Sequence, residues 1–454
     1  MIISIYGAGY VGLVSAVCLA TLGHRVICAD ISEQRINLLN EGECPIYEEQ
    51  LPELLKEQLS SGRLQFTADI SCAIRQAAVH IIATGTPGMP DGSADLSQVF
   101  SVVTQITCET NADCLLVTKS TVPVGTGDAI EAHVQQELLR LNKSCRIHVA
   151  SNPEFLREGS AVYDFLHADR IIIGGETQAL PPLKALYQPL VEQGIPLLCM
   201  SRQSAELTKY TANAMLACKI SFINQISRIA EKVGADIDEI REGIGLDHRI
   251  GPHFLQAGIG FGGSCFPKDG RALAQTAQSI GVDTALLDAV ELINQLQKNW
   301  VVEQLNRHFN HELMNRTFGI WGLAFKPGTD DMREASSLVI IDALVSAGAT
   351  VRLFDPVAMT AARRLLPEHK AIVWCDSAEH VCESQLDALV IATEWPEFRN
   401  YPLNTLATML GDAPLVDGRN CFKRSQVETT AISYYYSVGR APYSLNRKDV
   451  EHAG

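Results

Sequence analysis

Two glycine-rich segments hold the residues whose types and spacing best suit chemistry. In Gly258-Ile-Gly-Phe-Gly-Gly-Ser-Cys265-Phe-Pro-Lys268-Asp269, Pro267 fits the first turn of a helix, which puts Cys265 at or near that helix's N-terminus. The helix terminus and Lys268 both favour the thiolate, the nucleophilic form of cysteine. A buried, inert thiol is the alternative, and the glycine setting, Pro267 and the Lys268-Asp269 pair stand against it. The other segment, Gly7-Ala-Gly9-Tyr10-Val11-Gly12, follows an apolar strand and opens a helix, so backbone N–H groups and the helix dipole can meet a pyrophosphate. Asp30 closes the next strand 18 residues after Gly12; a carboxylate there accepts from a ribose 2′-hydroxyl and repels a 2′-phosphate. Together they read as a nicotinamide dinucleotide site that prefers NAD to NADP, a preference slightly tempered by nearby Arg35.

Further polar groups are less committed. Lys209, Asn213 and Asn224 fall within about 60° of one another at about 100° per residue, on a helix rich in Leu, Ile, Met and Ala; such a stripe is either a solvated face or an inward-facing site. The turns Ser120-Thr121-Val-Pro-Val-Gly and Ser151-Asn152-Pro153-Glu154-Phe155-Leu156-Arg157-Glu158-Gly159 lie beyond strand ends. Ligands of open α/β sheets bind there, and ordinary proline-stabilised turns occur there too. In the last third, Lys326, Arg333 and Arg419 are cations near turns and suit phosphate binding by side chains. Gly319 and Gly322 lack the third glycine of a dinucleotide fingerprint, so a second dinucleotide is not expected.

The elements that must position these groups alternate between strand and helix. Ile2 to Tyr6, a glycine turn, Val11 to Leu22 and Arg25 to Ala29 form a βαβ unit. Strand signals recur at Val79 to Ala83, Cys114 to Lys119, His148 to Ser151 and Arg170 to Gly174, which predicts a parallel, doubly wound sheet. From about Ala205 to His308 the apolar spacing is helical, broken by the glycine-dense stretch Gly251 to Gly263. After Arg316 the opening pattern returns: TFGIWGLAF, SSLVIIDALVSAGA, then TVRLFDP ending at Asp355. TADISCAIRQAAVHIIATGT and WCDSAEHVCESQLDALVIATEW also correspond, each an Asp-led helix feeding a strand that ends in Ala-Thr. The fold class is therefore α/β, two Rossmann-like doubly wound domains joined by a central helical region. The expected divisions are 1–200 for NAD, 201–310 for the helical region with the cysteine loop, 311–440 for the second Rossmann-like domain, and a loose tail at 441–454.

Composition narrows the function classes. A net charge of −15 over 454 residues disfavours non-specific nucleic-acid binding. The N-terminal apolar stretch lacks a basic leader and is interrupted by glycines, so neither a signal peptide nor a membrane span is expected. Thirteen scattered cysteines with no CxxC pair signal no metal site or disulfide scaffold. A reduced, cytoplasmic setting fits.

GAGYVGL, GTPGMPDGSADL, STVPVGT, SNPEFLREG, AELTKYTANAMLACKISFIN, GFGGSCFPKD and FKPGTDDMREAS, in this order over about residues 1–425, resemble the UDP-glucose 6-dehydrogenase family. That family lies within the nucleotide-sugar dehydrogenases, which include GDP-mannose and UDP-N-acetylmannosamine enzymes. The resemblance implies an NAD-dependent four-electron oxidation of a sugar C6 alcohol to a carboxylate. It assigns Cys265 as the nucleophile that forms a thiohemiacetal and then a thioester. Lys209 would stabilise oxyanions, Asn213 position the substrate, Asp269 order water or move a proton, Glu154 act as general base and Thr121 hold the catalytic water. For NAD it carries over Gly7, Gly9, Tyr10, Val11, Gly12, Asp30, Arg35, Thr86, Thr121, Glu158, Lys268 and Arg333. For the nucleotide sugar it carries over Glu154, Phe155, Leu156, Lys209, Asn213, Arg249, Phe254, Gly262, Lys326 and Arg419. Arg249 would reach a neighbouring subunit's site, which implies a homodimer built on the central helices. Phe266 and the run KISFIN resemble the UDP-glucose branch, with a GDP-mannose or UDP-N-acetylhexosamine enzyme as the alternative. Outside this family, the alternatives are a two-electron hydroxyacid-type dehydrogenase and a non-catalytic nucleotide-binding protein.

Overall fold

The computed structural model describes residues 1–445 as two compact units, Met1–Ala212 with Arg271–Asp283, and Asn213–Gly270 with Thr284 onward. In the first unit, apolar runs that can be buried on both faces make the central strands. These are Ile2–Tyr6 (β1), Arg25–Ala29 (β2), Leu64–Thr67 (β3), Val79–Ile82 (β4), Cys114–Thr118 (β5), Ile147–Ser151 (β6), Ile171–Gly175 (β7) and Leu197–Met200 (β8). Their order in the sheet is β3-β2-β1-β4-β5-β6-β7-β8, the doubly wound succession extended by two strands.

The sheet is not wholly parallel, which corrects the expectation: β7 runs antiparallel to β6, with Ser151 opposite Gly174. The connection between them holds only a six-residue helix, Ala161–Leu166. Apolar spacing marks a strand but not its direction, so the reversal is seen only in the register. β3 and the edge strand β8 lay outside the sequence reading.

The second unit repeats the plan. Thr317–Trp321 (β9), Thr350–Phe354 (β10), Ile372–Trp374 (β11), Ala388–Ile391 (β12), Leu415–Asp417 (β13), Tyr434–Ser437 (β14) and Tyr443–Ser444 (β15) order as β11-β10-β9-β12-β13-β14-β15. Only the β14–β15 pair is antiparallel. The correspondence between the sheets extends to atoms. Gly7 and Gly322 each follow the first strand with φ near +98° and +91°, and the amides of Ala8 and Leu323 donate to Asp30 and Asp355, both at 2.7 Å. In the paired helices, Asp69 caps Ile70–Gln76 as expected, whereas Ser377 and not Asp376 caps Ala378–Cys382. The four residues Tyr443–Ser444 and Tyr434–Tyr435 pair as strands, and most of the tail assigned to 441–454 lies outside the described residues.

Helices fill the middle of the chain: Arg202–Val233, Ile237–Gly245, Phe266–Ser279, Ala285–Lys298 and Trp300–His308. Among the described residues no helix is long and apolar enough to cross a membrane, and no cluster of three or more His, Cys, Asp or Glu side chains could hold a metal ion.

Candidate active site

The glycine turn after β1 is shaped by what its glycines exclude. A Cβ at Gly12 would lie 1.8 Å from the Gly7 carbonyl oxygen, and one at Gly7 would lie 2.8 Å from the Ala83 oxygen, whereas at Gly9 it would meet nothing within 4 Å. Two glycines thus let β1, β4 and the helix Tyr10–Thr21 close together, and the third leaves open space over the helix's first turn. That turn has no side-chain cap and no acidic residue, so its N–H groups and dipole are available to an anion. Asp30, 7 % exposed, receives N–H bonds from Ala8 and Ser32 and pairs with Arg35 at 2.8 Å. These residues fit a dinucleotide. Ile31 next to it is 82 % exposed, an apolar surface that the sequence reading passed over. Asp355 offers no comparable site: it is buried and takes five donors, from Leu323, Ala324, Val357, Ala358 and Trp395, and no helix follows Gly322 directly.

Tyr10 and the loop after β6 are connected by a residue that periodicity did not flag. Glu48, 4 % exposed, accepts from the amides of Gly159 and Ala161 at 2.7 Å and from the Tyr10 hydroxyl. Burial, then Glu48, pushes the Tyr10 phenol far above its ordinary range, so it stays a donor. Val11 is half-buried in the first helical turn, and Glu158 is half-buried one residue before Gly159.

Within the first unit, Lys209 and Glu154 form an ion pair at 3.0 Å, their side chains only 4 % and 5 % exposed. Glu154 also accepts from the Leu156 amide at 2.6 Å. The Lys209 ammonium stands 5.4 Å from the Phe155 ring, which carries the Arg170 guanidinium on its face at 3.7 Å. Thr86 donates to the Thr121 carbonyl at 2.8 Å, which brings two cofactor candidates together. Asn152 and Lys119, both buried, brace the base of this loop: Lys119 donates to the Asn152 side-chain oxygen at 3.2 Å.

In the second unit, Asp269 is 1 % exposed and receives Asn213 at 2.7 Å and Lys268 at 2.6 Å. Its amide donates to the Cys265 carbonyl at 2.8 Å, so Cys265 occupies the cap position of the 14-residue helix Phe266–Ser279. The Cys265 sulfur is half-buried, 3.4 Å from the Ser264 hydroxyl. Lys209, Asn213 and Asn224 are all buried, so the stripe faces inward.

The glycine loop before Cys265 is fixed by buried amide side chains. Asn224 and Gln297 bond the Gly258 amide and carbonyl at 2.9 and 2.7 Å, and Asn294 bonds both backbone groups of Phe261. A Cβ at Gly262 would lie 2.4 Å from the Glu334 oxygen, and one at Gly263 would lie 2.8 Å from the Phe325 ring. The loop is thereby seated on the segment that holds Lys326, whose ammonium is 5.5 Å from the Phe325 ring centroid. Arg419 donates to the carbonyls of Gly260, Ala392 and Phe325 at 2.9–3.3 Å. Phe254 holds φ +62°, an outlying conformation for a bulky residue. Arg333 pairs with Asp331 at 2.7 Å, and Arg249, 78 % exposed, pairs with Asp247 two residues away at 2.6 Å. The Arg333 carbonyl accepts from the Gly263 amide at 2.7 Å, two residues before Cys265.

Comparison with known proteins adds to this geometry. Models of the UDP-glucose/GDP-mannose dehydrogenase family match the chain as an NAD binding domain over residues 1–191, a central domain over 203–296 and a UDP binding domain over 319–424. UDP-glucose 6-dehydrogenase of Pseudomonas aeruginosa is 44% identical, over 97% of this chain and 98% of its own. UDP-glucose 6-dehydrogenase YwqF of Bacillus subtilis is 42% identical, with the same coverage of 97% and 98%. Among solved structures, a UDP-glucose dehydrogenase from the archaeon Pyrobaculum islandicum superposes with a TM-score of 0.88 at 37% identity, over 97% of this chain and 98% of that one.

Proposed function

This chain belongs to the UDP-glucose/GDP-mannose dehydrogenase family, an oxidoreductase with that family's NAD binding domain, and we propose that it oxidises UDP-glucose to UDP-glucuronate through a thioester on Cys265. When bound, NAD supplies the hydride acceptor, and an alcohol-to-acid oxidation calls on it twice per sugar. Gly7, Gly9, Tyr10, Val11 and Gly12 would hold its pyrophosphate and Asp30 its ribose, with Arg35, Thr86, Thr121, Glu158, Lys268 and Arg333 as further contacts.

The chain's own groups then have these roles. The Cys265 thiolate adds to the C6 aldehyde, forming a C–S bond as the carbonyl π bond opens to an oxyanion. Lys209 stabilises that oxyanion, and Asn213 positions the substrate. Loss of hydride from C6 leaves a thioester. Glu154 takes a proton from water held by Thr121, the water oxygen attacks the thioester carbon, and collapse of the adduct expels the Cys265 thiolate. Asp269, fixed by Asn213 and Lys268, orders water and moves protons. Phe155, Leu156, Phe254, Gly262, Lys326 and Arg419 hold the nucleotide sugar.

The observation that carries this reading is the placement of Cys265 at a helix cap with Lys268 and buried Asp269 in the first turn. Replacement by Cys265→Ala tests it: NADH production from UDP-glucose should stop at or before one equivalent, and no sugar should be found on the denatured protein by mass spectrometry. Unchanged turnover would instead favour a two-electron dehydrogenase.

We further propose a homodimer in the cytoplasm. It is supported by an apolar row along the 32-residue helix Arg202–Val233, where Met215, Phe222, Ile229 and Val233 are 59, 52, 50 and 71 % exposed. Their spacing of seven, seven and four places them on one face, as in helix-on-helix association. Exposed Arg249 suits a residue offered to a neighbouring subunit. Thirteen free cysteines suit a reducing compartment.

A further inference from the structure

Glu206 has no part in the chemistry above, yet it joins three segments that do. It sits one helical turn before Lys209 and is 3 % exposed. One carboxylate oxygen accepts from the Gly125 amide at 2.8 Å, and the other accepts from the Gly127 amide at 2.8 Å and the Ser151 hydroxyl at 2.9 Å. Gly125, with φ +93°, closes the turn that holds Thr121 and precedes the helix Thr126–Arg140. Ser151 ends β6, three residues before Glu154.

The fit is close. A Cβ at Gly127 would lie 2.9 Å from Glu206 and 3.1 Å from the Ser151 hydroxyl, so only glycine lets its amide reach the carboxylate. Burial raises the Glu206 carboxyl's proton affinity while the three donors lower it, and all three need an acceptor that donates nothing in return.

We propose that Glu206 is a positioning residue that holds the Thr121 turn and the Glu154 loop against the Lys209 helix, and so sets the rate of thioester hydrolysis. The step assigned to it rests on the roles proposed for Thr121, Glu154 and Lys209. Glu206→Gln keeps the shape but turns one acceptor into an amide that faces a backbone N–H.

The test combines stopped-flow NADH detection with acid quench and mass spectrometry of the intact protein. Misplacement by about 1 Å costs on the order of a hundredfold in rate, so hydrolysis should slow by about that factor. The first NADH burst and the KM for UDP-glucose should persist, and sugar should accumulate on Cys265. Wild-type turnover and adduct level would overturn the proposal. So would equal loss of both phases together with a lowered melting temperature, the mark of a purely structural residue. If Glu206→Gln does not fold, Ser151→Ala removes one donor and leaves both backbone bonds; it should raise adduct occupancy in the same phase, and an unchanged occupancy would overturn the proposal. A wild-type yield of one NADH per sugar would remove the thioester reading instead. In that case a lowered kcat at constant KM in Glu206→Gln would still support the positioning role, and an unchanged kcat would overturn it.

Discussion

Replacing Gly9 and Gly12 in turn by alanine separates what the glycine turn after β1 needs in order to fold from what the proposed NAD site needs in order to hold its ligand. At Gly12 the new Cβ would stand 1.8 Å from the Gly7 oxygen and 3.3 Å from the Ala83 side chain, so backbone must move by more than an ångström. Overpacking costs about 1–3 kcal/mol, and with backbone as the obstacle the upper end, about 3 kcal/mol, applies. For a unit of this size each kcal/mol lowers Tm by roughly 2–4 °C, so Gly12→Ala should melt roughly 6–12 °C lower. Gly9 is different: its φ of −73° suits any residue, and the methyl meets nothing within 4 Å. The poorer cap and the stiffer unfolded chain each contribute about 0.5–1 kcal/mol with opposite sign, so the melt without NAD should stay where it is. The methyl nevertheless fills the space over the helix N-terminus. Thermal scans with and without NAD, together with titration calorimetry, read both effects. At a hundredfold excess over Kd the wild-type protein gains about 2.7 kcal/mol from ligand, and Gly9→Ala should lose most of that gain. A Gly9→Ala protein with the wild-type NAD shift would show that the space over the helix N-terminus does not hold NAD, and a Gly12→Ala protein with the wild-type melt would show that the turn tolerates a Cβ there.

Lys209→Met leaves the Glu154 carboxylate buried without its cation and should cost roughly 3–5 kcal/mol in denaturant unfolding; Lys209→Met combined with Glu154→Gln should recover a large part of that loss, and additive losses would contradict the pairing. Burial holds the His80 imidazole down at about 4, from an ordinary 6.5. Its folded pKa is depressed, so the unfolded chain takes the proton first; the contribution is intact above about 6.5 and falls by about 3 kcal/mol as pH drops towards 4. Melting curves over that range should flatten in His80→Gln, and an unchanged acid limb would count against the assignment.

Local signals carried most of the first sheet. The strand Ile2–Tyr6, the glycine turn and the helix after it each declare themselves within a few residues, and the repeated plan after Arg316 followed the same signals. β8 escaped because it is an edge strand with Leu198 and Cys199 exposed, so no alternation marks a buried face. The direction of β7 is set by its antiparallel pairing with β6, which hydrophobic spacing does not report. Within the candidate site, the cap position of Cys265 and the tight glycine turn facing Asp30 were legible because they depend on backbone geometry close by in the chain. Glu48, Glu206, Asn294 and Gln297 were not. Their partners lie 33 to 113 residues away, and a lone carboxylate or amide looks the same in sequence whether it meets water or a buried backbone group. The inward turn of Lys209, Asn213 and Asn224 was likewise undecided until burial was known, since periodicity fixes a common face but not what that face meets.

An enzyme that carries an alcohol through to an acid in one chain must reduce two NAD per sugar, so the NADH yield per sugar distinguishes it from a two-electron dehydrogenase. Purified protein with limiting UDP-glucose and excess NAD, followed to completion at 340 nm beside a parallel reaction with limiting GDP-mannose, should give two NADH per UDP-glucose and none from GDP-mannose. One NADH per UDP-glucose, with aldehyde accumulating, would contradict the thioester route, and two from GDP-mannose alone would contradict the substrate.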